Sequence, residues 1–429
     1  MRFLIKNSRI IDPSRNFDEP GDILIEDGKV KDIGKNINLE ADKIIEASGK
    51  IAMPGLVDMH VHLREPGRED KETVESGTRA AAKGGVTSVL AMPNTEPAID
   101  CADSIERIKR ISEERAKINV FIAAAITKGR AGRELTDIKK FKNLGVVAVT
   151  DDGSSVDDAS LMLQAFSAAG KERILVICHC EDRKLSAAGQ VNKGLTSTRM
   201  GLRGICRESE YSRVKRDIEL SAKAGSRVHI AHVSCRESIE IIAKAKKKGI
   251  NVTAETAPHY FSFNENEVTG FDTNKKMNPP LRSQDDVLSL KQALAEGVID
   301  VVASDHAPHT ENEKDVEFDK AAFGVTGLET ELSACIELVE EGRLDWLKLS
   351  RLIAYNPASI LGINKGSLRP GSDADIILVD ADKKWQVARG NFVSKSKNSC
   401  FIGSTLKGVV EYTILDGRII YEAGLQGKK

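Results

Sequence analysis

Leu56-Val57-Asp58-Met59-His60-Val61-His62-Leu63-Arg64 is an apolar run that turns polar at its end. Residues 57–62 read as a β-strand, and along a strand the side chains alternate between faces, so residues two apart share one. His60 and His62 therefore point the same way from the strand's C-terminal end, which is the geometry of a pair of metal ligands. The texture recurs down the chain. Apolar runs at 86–92, 120–125, 146–150, 174–179, 228–233, 251–255 and 300–304 are strand candidates. Amphipathic stretches of helical length accompany them at 71–83, 104–117, 159–169, 212–224, 238–247, 284–295, 327–341 and 347–360. This is the βαβα rhythm of a parallel sheet, and eight repeats fit a closed (β/α)8 barrel better than an open doubly wound sheet.

Barrel enzymes build their sites at the C-terminal face, from the ends of several strands. Here those ends carry imidazoles and carboxylates. His179 ends the fifth strand between Cys178 and Cys180, which must then face the helices. His229 and His232 on the sixth are three apart, so strict alternation lets only one look inward, and His232 is nearer the mouth. The fourth strand runs into Thr150-Asp151-Asp152-Gly153 and the eighth into Ser304-Asp305-His306-Ala307-Pro308-His309. Each adds a carboxylate, although alternation does not choose between Asp151 and Asp152. His229 and His306 have the opposite parity and read as structural; His259, after strand seven, lies near the site without a role. Four imidazoles and two carboxylates suit a borderline divalent ion such as zinc. They exceed the needs of one tetrahedral ion, and two ions sharing a bridging carboxylate account for the surplus.

The chain ends have a different texture. Short β-branched runs flank Asp27-Gly28 and again Asp416-Gly417, dipeptides suited to type I′ hairpins. Strands at both termini imply one β-sandwich domain assembled from residues 1–53 and 366–429, with the barrel, 54–365, inserted between them. The 429 residues are 41% hydrophobic and 30% charged, which excludes disorder, and a net charge of −1 supplies no field for nucleic acid. Nowhere do about 18 apolar residues run together, so no membrane partner is expected. The first residues hold an apolar run too short for a secretion signal, and seven cysteines without a CxxC pair read as reduced thiols, so the cytoplasm is the expected location.

Several motifs carry a resemblance. Residues 53–67 read Met-Pro-Gly-Leu-Val-Asp-Met-His-Val-His-Leu-Arg-Glu-Pro-Gly. They are followed by Met92-Pro93-Asn94-Thr95, Thr150-Asp151-Asp152-Gly153, Lys276-Met277-Asn278-Pro279-Pro280-Leu281-Arg282, Ser304-Asp305-His306-Ala307-Pro308-His309 and Phe323-Gly324-Val325-Thr326-Gly327-Leu328-Glu329-Thr330. Over nearly its whole length the chain resembles the amidohydrolase superfamily and, within it, the dihydroorotases of the long bacterial type. The resemblance implies metal binding by His60, His62 and Asp305 at one position and by His179 and His232 at another, with Asp152 bridging and Zn2+, one or two per chain, as the cofactor. It implies reversible cyclisation of N-carbamoyl-L-aspartate to L-dihydroorotate in pyrimidine biosynthesis, with Asp305 as the catalytic acid and base. It also implies substrate contacts from His62, Leu63, Arg64, Asn94, Asn278, His309, Phe323 and Gly324. Arg64 suits a substrate carboxylate because its planar fork can meet one bidentately.

Two rivals are weaker. The related hydantoinases, dihydropyrimidinases and allantoinases bridge their metals with a carbamylated lysine on strand four, where Gly145-Val146-Val147-Ala148-Val149-Thr150 has none. Inactive dihydroorotase-like scaffolds for aspartate transcarbamoylase lack metal ligands, and all six are present here. An active enzyme that also binds the transcarbamoylase, or forms a homo-oligomer, is compatible with the sequence. The charged segment 310–320 is expected to fold over the substrate as a lid.

Overall fold

The computed structural model describes residues 2–424, so residues 1 and 425–429 of the expected terminal β domain lie outside the described residues. Each of the eight apolar runs of the middle forms a strand: Leu56–Val61, Val86–Ala91, Asn119–Ala124, Ala148–Val149, Leu175–Cys178, Val228–Ile230, Val252–Thr256 and Val301–Val302. We label these β1 to β8. They hydrogen-bond in sequence order, every pair parallel. Between β8 and β1 the circle closes through a single bridge, Val61 with His306, and His62 N–H donating to His306 O at 2.9 Å. A side chain completes the seam. The buried Asp58 carboxylate accepts the Ser304 backbone N–H at 3.3 Å and the Ser304 hydroxyl, bonds that a ladder would otherwise supply. The chain is a (β/α)8 barrel carrying a β-sheet domain.

Helices surround the barrel because their apolar faces need cover. The first, Val74–Lys83, starts where Thr73 and Ser76 cap each other reciprocally and buries Val74, Ala80, Ala81 and Ala82. The stretch expected as one helix over 347–360 is broken: Trp346–Ser350 and Asn356–Leu361 flank a wider turn at Arg351–Tyr355. Pro357 explains this, since its missing N–H removes one helical hydrogen bond. Ala358 and Leu361 from that region join Val57, Met59, Leu90, Ala123, Leu175, Ile177, Ala231 and Val301 in one apolar cluster.

The two ends of the chain share one sheet. Ile51–Pro54 pairs parallel with Arg2–Asp12 and antiparallel with Ile376–Gln386, joining N-terminal strands to C-terminal ones. Beyond it lie Phe17–Glu26 and Lys29–Gly34 on one side, Thr405–Leu415 and Arg418–Glu422 on the other, with Lys43–Glu46 alongside Arg2–Asp12. Both hairpin tips have positive φ at each central residue: 51° and 78° at Asp27 and Gly28, 48° and 71° at Asp416 and Gly417. The tips also touch each other; a Cβ on Gly417 would lie 3.0 Å from the Gly28 Cα, so the contact needs glycine at both places.

Candidate metal and substrate site

His60 and His62 leave β1 side by side, ring centroids 5.3 Å apart. Each has its outer nitrogen engaged. His60 Nδ1 lies 2.5 Å from Glu255 Oε1 at the end of β7, and His62 Nδ1 lies 2.8 Å from Asn94 Oδ1. Both acceptors are oxygens, so each Nδ1 carries a proton and each Nε2 faces into the barrel mouth, where a metal ion would take the place of a second proton. Burial opposes charge on His60, but Asp152, Glu255 and Asp305 outweigh it and hold its pKa well above the usual range. Burial likewise pushes the Asp305 carboxyl up, and His60 and His62 bring it back below its ordinary value.

The aspartate left open by alternation resolves by contact. Asp151 turns away and accepts the Thr127 N–H at 3.0 Å, together with the Thr127 hydroxyl. Asp152 faces the imidazoles: His60 at 3.4 Å, His62 and His179 at 3.5 Å, His232 at 3.6 Å. Those rings hold its carboxyl well below the ordinary value in spite of its burial. Cys178 and Cys180 are buried on the helix side, the Cys180 thiol 3.8 Å from Asp217 of the helix Glu208–Ala224.

At strand six, strict alternation fails. His232 has φ +36° and this left-handed residue resets the pattern, so both histidines look inward. His229 sits deeper and bonds Glu255 Oε2 at 3.1 Å and Thr253 Oγ1 at 2.8 Å, while His232 reaches the mouth. Asp305, φ +47°, makes the same turn after β8 and leaves His306 on the other side, 3.3 Å from Glu72.

Donor chemistry and spacing fit a divalent cation. His60 Nε2 and Asp152 Oδ1 are buried with no hydrogen-bond partner. The facing donor atoms of His60, His62, Asp152 and Asp305 stand 3.4–3.6 Å apart, too far for hydrogen bonds. Ligand atoms about 2.0–2.2 Å from a tetrahedral ion lie roughly 3.3–3.6 Å from one another, so this spacing is that of a coordination shell. At the barrel mouth, two groups among the described residues can hold an ion with all their ligand atoms within 4.8 Å: His60, His62 and Asp305, and His60, Asp152 and His232. In the second group His60 stands where His179 was expected. His179 Nδ1 instead shares a 2.8 Å hydrogen bond with His232 Nε2.

Arg64 follows β1 in a left-handed conformation, φ +62°. Its Nε donates to Pro308 O at 3.2 Å, and among the described residues it forms no ion pair. Burial presses the guanidinium down to about 10, so it is fully charged at neutral pH. His309 lies beside it, Nε2 3.5 Å from an Arg64 Nη and 2.8 Å from Phe323 O. Asn278 donates to Glu181 Oε2 at 3.2 Å, and the same oxygen lies 3.3 Å from His179 Nε2. The Leu63 side chain packs in the core, against Gly77 of the first helix, leaving only its backbone toward the mouth. A cavity of about 500 Å3 opens on the His309 side, lined also by Asn274, Thr310, Lys314, Arg389 and Asn398.

Segment 310–320 is fastened at Lys314, whose buried ammonium donates to Ala322 O at 2.8 Å and Gly324 O at 2.9 Å. Lys276 similarly donates to Phe318 O at 2.6 Å.

Sequence reading missed Glu255 and Glu181. Glu255 carried a signal: Val252 and Ala254 pack toward the helices, so a carboxylate at 255 falls on the lumen face. His259 is buried against the Tyr260 ring, and burial pushes it down to about 4.

A family model described as Dihydro-orotase-like matches residues 49–238. The chain is 50% identical over 425 residues to the dihydroorotase of Elusimicrobium minutum (strain Pei191), covering 99% of this chain and 98% of that protein. It is 48% identical over 423 residues to the dihydroorotase of Geobacter metallireducens (strain ATCC 53774 / DSM 7210 / GS-15), covering 98% and 100%. Among solved structures, the L-hydantoinase (dihydropyrimidinase) of Arthrobacter aurescens matches with TM-score 0.89 at 26% identity, over 98% of this chain and 96% of that one. A D-hydantoinase matches with TM-score 0.87 at 24% identity, over 98% and 95%, a likeness of fold alone. From one end to the other this chain shares about half its residues with dihydroorotases: it belongs to the dihydroorotase family.

Proposed function

We propose that this chain is a dihydroorotase, a cyclic-amide hydrolase that interconverts N-carbamoyl-L-aspartate and L-dihydroorotate in pyrimidine biosynthesis. One observation carries the reading: a buried His/Asp donor set and Arg64, a guanidinium without an ion-pair partner among the described residues, open on the same barrel mouth. Zn2+, one or two per chain, suits the donors; bound there it supplies Lewis acidity for the amide carbonyl and makes hydroxide available near neutral pH.

The protein's own part is orientation and proton transfer. Glu255 and Asn94 fix the tautomers of His60 and His62, so that both present lone pairs without rearrangement. Asp152 belongs to the second ligand group and faces His60 and His62 as well as His179 and His232, the position from which a carboxylate would bridge two ions. Asp305 faces His60 and His62 through Oδ1. Its Oδ2 is left to take the proton of the attacking water and deliver it to the leaving ring nitrogen, and microscopic reversibility gives the cyclisation. Arg64 binds the substrate carboxylate, flanked by Asn94 and His309; Asn278 and the Phe323–Gly324 backbone hold the ring, next to the Leu63 backbone. Segment 310–320 covers the carboxylate end.

All seven cysteines are free, as suits a reducing cytoplasm, and among the described residues no helix is long and apolar enough to cross a membrane. Self-association and aspartate transcarbamoylase are the protein partners to test by sizing. The direct assay is ultraviolet-monitored hydrolysis of L-dihydroorotate beside hydantoin, dihydrouracil and allantoin. Turnover of dihydroorotate alone is expected; preference for an uncharged ring would overturn the assignment.

A further inference from the structure

Lys71 has no part in the chemistry above, yet its side chain is buried in the wall of the carboxylate pocket. Its Nζ lies 2.7 Å from Glu313 Oε1 and 3.2 Å from His309 Nδ1. The other His309 nitrogen settles what passes between them. Nε2 is 2.8 Å from Phe323 O, and a carbonyl oxygen only accepts, so Nε2 carries the proton. In a neutral ring Nδ1 is then a lone pair, and the Lys71 ammonium is the donor that meets it. Glu313 Oε2 stands 3.2 Å from the same Nδ1, held there by the Thr310 N–H at 3.1 Å. Left alone with Nδ1, that carboxylate would draw a proton onto it.

The charges around the ring are Arg64, Lys71 and Lys314 against Glu313, which Arg68 also pairs at 3.0 Å. Burial, with those three cations, pushes His309 down to about 3.

We propose that Lys71 is a positioning residue that fixes His309 as the neutral Nε2–H tautomer, so that the ring's one donor stays on the side of Phe323 O and Arg64, where an incoming substrate carboxylate can share it, throughout the working pH range. This rests on the reading of His309 as a carboxylate-binding residue of a dihydroorotase. Without Lys71, the ring beside Glu313 takes a second proton at low pH and at high pH keeps its single proton on Nδ1, facing Glu313. The donor toward substrate is then present in acid and lost as pH rises.

The test compares the wild-type holoenzyme with Lys71→Met and Lys71→Gln, measuring kcat and KM for L-dihydroorotate from pH 6 to 9.5 as ratios to wild type, which cancels titration of the metal centre. For Lys71→Met the KM ratio is expected near one at pH 6 and climbing about ten-fold as pH rises, with kcat little changed. Lys71→Gln, whose amide can still donate to Nδ1, restores a flat ratio. A KM ratio independent of pH in Lys71→Met, or no rescue by glutamine, overturns the proposal. A wild-type enzyme inert toward dihydroorotate, or a His309→Ala variant with unchanged KM, instead overturns the reading beneath it. If Lys71→Met does not fold, nitrogen-15 spectra of wild-type histidines decide: a His309 signal of the Nε2–H form, untitrated down to pH 5, is expected, and an Nδ1–H or charged ring is the contrary result.

Discussion

Replacing Arg64 by methionine removes a cation of the mouth that forms no ion pair among the described residues. Its Nε is taken by Pro308 O at 3.2 Å, so the terminal nitrogens are what a substrate carboxylate can meet. A bidentate pair amounts to two charge-assisted hydrogen bonds of about 1.5–3 kcal/mol each. Asn94, His309 and the Lys71 field remain, which brings the net loss to about 3 kcal/mol, or about a hundred-fold in KM. Because the group sits on a remote part of the substrate and acts equally in ground and transition state, kcat should change by less than about three-fold. Arg64→Lys keeps the charge without the fork and should cost about ten-fold. The assay is steady-state hydrolysis of L-dihydroorotate, with thermal melting to exclude a folding defect. An unchanged KM, or a fall in kcat at constant KM, refutes the carboxylate role.

Asp305→Asn should lower kcat by about 10²–10⁴-fold with little change in melting temperature, since asparagine tolerates the φ of +47° found there; substantial residual turnover would remove Asp305 from proton transfer. Glu210 is buried; Ser234 N–H donates to it at 3.0 Å, Ser238 Oγ–H at 2.8 Å and Arg282 at 3.3 Å. Burial raises its carboxyl, but Arg282 and the serines bring it below the ordinary 4.5. A depressed folded-state pKa stabilises above the unfolded value and is lost as pH falls below it, so the urea midpoint should drop between pH 5 and pH 3. Glu210→Ala should cost about 3 kcal/mol at pH 7 and flatten that drop; a variant as acid-sensitive as wild type would exclude Glu210 as a source. Gly324 has φ +126°, and a Cβ there would lie 2.7 Å from the Ala307 Cβ and 3.2 Å from His309 Nε2. Gly324→Ala should therefore destabilise by about 1–3 kcal/mol and raise KM, and unaltered melting and KM would contradict the strain.

The barrel was legible because its signal is local. Eight apolar runs separated by amphipathic stretches need only counting, and two Asp-Gly dipeptides announced the hairpins that the terminal sheet forms. His60 and His62 followed from period-two alternation. The same rule misled at His229 and His232, where a single left-handed residue, φ +36°, turns the chain and puts both rings inside. Asp151 and Asp152 could not be separated by pattern because the difference is a contact with Thr127, 24 residues away. Glu255 and Lys71 act on histidines of distant strands or loops, 195 residues away at His60 and 238 at His309. Sequence shows which residues can ligate, while the groups that orient them depend on closure of the barrel.

The central claim is that the buried His/Asp set holds a metal that dihydroorotate hydrolysis requires. Its most direct measurement is metal content and L-dihydroorotate turnover on one sample: as purified, stripped by chelator, and reconstituted with zinc. The account predicts that stripping abolishes turnover and that one or two equivalents of zinc per chain restore it, with His60→Ala or Asp152→Ala binding less metal. Full activity in metal-free protein, or zinc retained without loss in those variants, would contradict it.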